Sequence, residues 1–92
     1  MPRPLSFPAA EILALQALAW LAGEQDRLER LLAASGMEAS GLKEAALDPH
    51  LLAAILAFLL ADEPLLLEFC AETGAKPPQI HAAQYVLEGA CD

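Results

Sequence analysis

DPHLLAAILAFLLA, residues 48–61, decides the fold. An Asp-Pro start followed by eleven apolar residues reads as a helix with no side that wants water, and helices of that kind are core elements. Asp48 can cap the helix with its carboxylate, and Pro49 suits a first turn that needs no amide donor. Asp62-Glu63-Pro64 then stops the run and starts another helix. Everything else in the chain has to pack around this element.

Working outward, Pro2 to Pro8 holds three prolines in seven residues and reads as an extended arm, after which Ser6 or a neighbour caps helix one, from about Pro8 to Ala22. Helix one is nearly as apolar as the central helix. Gly23 ends it, and helix two runs from Glu24 to Ser35 with Leu28, Leu31, Leu32 and Ser35 on one inward face. Asp26 and Arg30 lie one turn apart on its wet side. Gly36 stops helix two, and Gly41 to Leu47 forms a short helix three. Beyond the central helix, helix five runs from about Glu63 to Thr73, burying Leu66, Phe69 and Cys70 and turning Glu68 and Glu72 to solvent. Gly74 ends it, Lys76-Pro77-Pro78 reads as a stiff connector, and Gln79 to Leu87 forms helix six with Ile80, Ala83 and Leu87 inward.

Composition supports helices over sheets. Of 92 residues, 57% are hydrophobic, and Ala and Leu supply 39 while Val and Ile are nearly absent. A chain this short has room for one core. The net charge is −8 and is uneven: residues 47–92 carry seven acids against Lys76 alone, a balance that repels phosphate backbones. Two cysteines, Cys70 and Cys91, are too few for a disulfide framework and read as free thiols in a reducing cytoplasm. Arg3 followed by Ile12 to Ala22 loosely imitates a secretion signal, but Glu11 and Gln16 interrupt it. No segment approaches the roughly 20 apolar residues of a membrane span.

An ungapped shift of 38 residues lays the first half on the second. Leu18 falls on Leu56, Trp20 on Phe58, Glu24 on Asp62, Ser35-Gly36 on Thr73-Gly74 and Leu42 on Ile80. Identities are cheap in an Ala/Leu-rich chain, so the weight rests on the paired caps, the paired Ser/Thr-Gly stops and the aromatic pair. Each unit would be three helices. The stretch FCAETGAKPPQIHAA, with Gly after a second helix and an apolar residue six positions on, resembles a helix-turn-helix unit. Against a DNA-reading role, Gln79 to Glu88 contains no Lys or Arg for phosphates or guanines. The plainer alternative is a three-helix packing solution without DNA chemistry.

Residue types that carry chemistry do not converge. His50 and His81 occupy unrelated positions with no His or Cys one turn away, so a zinc site built from them with Cys70 and Cys91 has no sequence support. Cys70 falls on an inward face, where a thiolate is costly. Glu63, Glu68 and Glu72 read as a solvated face, and Met37 and Trp20 as core, with Trp20 also a candidate interface anchor.

At LAWLAGEQDRLERLLAASGMEASGLKEAA and again at FLLADEPLLLEFCAETG, the sequence resembles a small alphaproteobacterial family of uncharacterised all-helical proteins catalogued as a domain of unknown function. The resemblance spans about residues 12 to 80. It implies an all-helical cytoplasmic protein and carries over no ligand, partner or functional residue.

The expectation is therefore an all-α protein, a compact orthogonal bundle of about six helices in a single domain over residues 1–92. Residues 1–7 form the arm, 8–47 the first three-helix unit and 48–88 the second, with helices one and four packed together at the centre. No enzyme site, cofactor or metal is expected. The expected function is a non-enzymatic adaptor or regulator that binds protein through an apolar patch rimmed with acids, with Trp20, Phe58, Leu59, Leu65 and Leu67 as candidate contacts. Six short helices can wrap one greasy helix but not two, so apolar surface is left over for a second copy or another protein. The alternative is a helix-turn-helix-like, transcription-associated protein whose DNA contact is weak or depends on a partner.

Overall fold

A computed structural model describes residues 5–89. Among them are six helices and no strand: α1 (Phe7–Ala22), α2 (Gln25–Ser35), α3 (Leu42–Ala45), α4 (Pro49–Ala61), α5 (Glu63–Thr73) and α6 (Pro77–Gly89), with a 3₁₀ turn at Ala39–Gly41 before α3. Three helices start by one device, an oxygen-bearing cap with a proline close behind it. Ser6 Oγ accepts from the Ala9 amide at 3.3 Å, Asp48 Oδ1 from the His50 amide at 2.9 Å and Asp62 Oδ1 from the Leu65 amide at 3.2 Å. Pro8, Pro49 and Pro64 then occupy first-turn positions where no amide hydrogen bond is lost.

Three boundaries differ from the sequence expectation. Lys76-Pro77-Pro78 is not a connector: both prolines are the opening residues of α6, because an N-terminal turn has no use for their missing amides. The Lys76 amide, left outside the ladder, donates to Gln79 Oε1 at 2.9 Å, one half of a capping box. Helix three shrinks to Leu42–Ala45, since the approach to Asp48-Pro49 pulls the chain out of helical geometry and leaves Leu47 85% exposed. Phe7 belongs to α1; the remainder of the expected arm before Leu5, like Cys91, lies outside the described residues.

The core forms where α1, α4 and α6 pack on one another, with α2, α3 and α5 around them. From α4 come Leu52, Ile55, Leu56 and Leu59, all with no exposure, and from α6 Ile80, Ala83 and Leu87. Helix α1 contributes Ala10, Ala14, Ala17 and Leu21, the alanines letting the neighbouring helices approach its backbone closely. Leu31 of α2 and Phe69 of α5 close the core from outside. Helix α5 turns off α4 at 107°, as an orthogonal arrangement requires. No single helix among the described residues is long and apolar enough to cross a membrane.

Helices α2 and α5 end alike. Gly36 and Gly74 adopt φ of 74° and 79°. Ser35 Oγ donates to the Leu31 carbonyl at 2.7 Å and accepts from the Met37 amide at 3.3 Å; Thr73 Oγ1 does the same with Phe69 and Ala75 at the same two distances. The 38-residue offset thus describes the two corners. Beyond them the halves diverge, into a four-residue α3 in one and a 13-residue α6 at the heart of the core in the other. Nor do the aligned aromatics share surroundings: Trp20 meets Phe69 edge-on at 5.4 Å, whereas Phe58 lines an open groove with Met37.

A Cβ at either corner glycine would meet no atom within 4 Å, so the cost of adding one is conformational alone. Gly36→Ala and Gly74→Ala should each lower stability by about 1 kcal/mol in urea unfolding. Unchanged midpoints in both variants would show that these turns do not need the left-handed conformation.

Candidate interaction groove

Helix α4 carries no polar side chain between His50 and Asp62, yet the bundle covers only part of it. Leu52, Ile55, Leu56 and Leu59 point into the core, and the opposite side, with Ala54, Ala57, Phe58 and Ala61, points away. Ala54 and Ala61 are exposed, and Leu51, Ala57 and Phe58 are half-buried. The end of α2 runs beside this face. Ala34, Ser35 and Met37 on that side and Leu51, Ala54, Ala57, Phe58 and Ala61 of α4 together line a groove of about 380 Å³. Small residues at positions 54, 57 and 61 add little bulk to the lining, which is the form that lets another helix lie close.

Ser35 is the single polar side chain lining the groove, and its hydroxyl is already engaged by the Leu31 carbonyl and the Met37 amide. At the Ala61 end, Arg30 forms an ion pair with Asp62, whose other oxygen caps α5. Arg30 therefore pairs across helices and not with Asp26 on its own helix, and the one Asp62 carboxylate serves both the tertiary contact and the cap. At the opposite end, Glu38 adjoins Met37 and Asp48 precedes α4, both exposed.

The five residues expected to make contacts separate. Phe58 lines the groove. Leu59 and Leu65 are core residues, with 0% and 3% exposure, and offer no surface. Leu67 is 53% exposed on α5 and is not part of the groove. Trp20 is half-buried and tied down: its indole Nε1–H donates to Glu72 Oε2 at 2.9 Å, its edge meets Phe69, and the Arg27 guanidinium lies 3.9 Å from its ring centre. Arg27 also approaches Glu24 at 3.4 Å and Glu72 at 3.7 Å. Glu72 is thus part of a clasp joining α1, α2 and α5, not simply a solvated acid. The residues that sequence reasoning missed are Ala54, Ala57 and Ala61. Their signal was present as alanines at i, i+3 and i+7 in a leucine-rich helix.

Two further clefts of about 360 Å³ flank α1. One joins Ile12 and Gln16 to Gly74 and Gln79; the other joins Leu15 and Ala22 to Leu42 and Lys43. Among the described residues no group of three or more His, Cys, Asp or Glu side chains is placed to hold a metal ion. Cys70 is a half-buried free thiol beside the core, and burial pushes its thiol up. The protonated form is therefore favoured on folding, a contribution complete below the unfolded thiol's range and lost as pH rises through the folded value.

Two measurements check this geometry. In a double-mutant cycle of Trp20→Phe and Glu72→Ala, unfolding followed by circular dichroism should give a coupling of about 1 kcal/mol; strict additivity would mean the indole donates elsewhere. In a Cys91→Ser chain, Cys70 should react with a thiol reagent more slowly when folded than in denaturant at mildly alkaline pH. Equal rates would contradict its burial.

No curated protein and no solved structure matches the chain. A family model described as a protein of unknown function, DUF3572, matches residues 8–90, from the first turn of α1 through the end of α6. The chain belongs to that family.

Proposed function

We propose that the protein is a non-enzymatic adaptor or regulator that binds another protein through the groove between α2 and α4. One observation carries this reading: the outward face of a helix with no polar side chain after His50 is left open to water, with Ala54 and Ala61 exposed and Phe58 half-buried on it. Apart from Ser35 the groove's lining is apolar, and concave, mostly apolar surface is where ligands and partner helices dock. The groove's sole hydroxyl is engaged by backbone, which leaves it suited to packing more than to proton or group transfer. Exposed acids stand close in the chain to its lining, Glu38 next to Met37 and Asp48 three residues before Leu51, as a polar rim would require. The free thiol of Cys70 fits a reducing cytoplasmic setting.

A helix-turn-helix reading of α5, Gly74 and α6 has less support. Helix α6 commits Ile80, Ala83 and Leu87 to the core and presents Gln79, His81 and Tyr85, with no Lys or Arg along its length.

Size exclusion with light scattering and a hydrophobic dye tests the groove. The wild-type chain should enhance dye fluorescence, and Ala54→Glu should remove most of that signal while shifting stability by less than about 0.5 kcal/mol, because Ala54 faces solvent. A dimer dispersed by Ala54→Glu would identify a second copy as the occupant, and a monomer that binds dye would point to a different protein. A strict monomer that binds no dye would overturn the proposal.

A further inference from the structure

We infer that the α2/α4 groove receives a basic amphipathic helix from another protein, an inference that rests on the groove being the binding surface. Charge complementarity selects this occupant. The chain carries net charge −8, and two of the four cations among the described residues are spent internally: Arg27 on Glu24 and Glu72, Arg30 on Asp62. Of the remaining cations among the described residues, Lys43 borders the separate cleft beside α1 and Lys76 lies at the start of α6, so neither lines the groove. One end of the groove is thus neutralised by the Arg30–Asp62 pair, and at the other Glu38 and Asp48 have no cation within ion-pair distance among the described residues. A second copy would bring its own net −8 and the same acids to the same place, which opposes close approach. An apolar helical face fits a groove lined by Ala54, Ala57, Ala61, Phe58 and Met37, and Lys or Arg along its borders would meet the acidic end.

The test uses the full chain and a labelled synthetic amphipathic peptide of about 18 residues, Leu and Ala on one face and Lys on the other, beside a twin with Glu for every Lys. In fluorescence anisotropy at about 150 mM salt, the Lys peptide should bind at least about ten-fold more tightly than its twin. Ala54→Trp, which fills the groove, should abolish that binding, and circular dichroism should show the variant folded. Equal binding of both peptides, lost in Ala54→Trp, would overturn the basic-partner inference and leave the groove reading intact. Lys-peptide binding unaffected by Ala54→Trp would overturn the inference by showing attraction to bulk charge alone. Binding by neither peptide would overturn the inference, and dye binding lost in Ala54→Glu would show whether the groove reading survives it.

Discussion

Burial of one side of α4 against α1 and α6 fixes the position of everything else. Leu52, Ile55, Leu56 and Leu59 reach zero exposure together, each worth about 1.5–3 kcal/mol in apolar surface removed from water. They can do so because α1 offers Ala10, Ala14 and Ala17 at the contact, and larger residues there would hold the helices apart. Once α1, α4 and α6 are stacked, the amphipathic helices have fixed roles. Helix α2 closes the core with Leu31 and α5 with Phe69, and each is locked from outside by charged contacts, Arg30 to Asp62 and Arg27 to Glu72.

Local chemistry made much of this legible. The caps Ser6, Asp48 and Asp62 and the left-handed glycines Gly36 and Gly74 act within four residues of their partners, so neighbouring sequence contains the whole interaction. The inward faces of α5 and α6 were readable from Leu66, Phe69, Ile80, Ala83 and Leu87 for the same reason. Pro77 and Pro78 defeat local reading because a proline pair suits a rigid connector and a helix start equally well, and Gln79, which makes the second possible, has no strong signature as a cap partner.

The groove was harder to see, and the reason is phase. Periodicity assigns a helix face by contrast between polar and apolar positions, and α4 supplies none between His50 and Asp62. Leu59 and Ala57 are then indistinguishable by pattern, although one is fully buried and the other half-buried. Three consecutive leucines at 65–67 pose the same problem on α5, where Leu65 is core and Leu67 is 53% exposed. Trp20 to Glu72 spans 52 residues and depends on the placement of α1 against α5, which no local rule anticipates.

Residue size supplied the contrast that polarity did not. Within α4 the leucines at 52, 56 and 59 and Ile55 go to the core with the smaller Ala53, while Ala54, Ala57 and Ala61 go outward, Leu51 and Phe58 being the large side chains that line the groove with them. An outward face of small residues limits the apolar area presented to water when the groove is empty, and so limits aggregation. It keeps the backbone within reach of a docking helix at the same time. Under the proposed reading the acidic excess would act in the same direction, opposing close approach of two copies while favouring a partner of opposite charge. An exposed leucine face on α4 would have favoured self-association; an exposed polar face would have removed the groove's apolar character. A face of alanines flanked by Leu51 and Phe58 lies between those extremes.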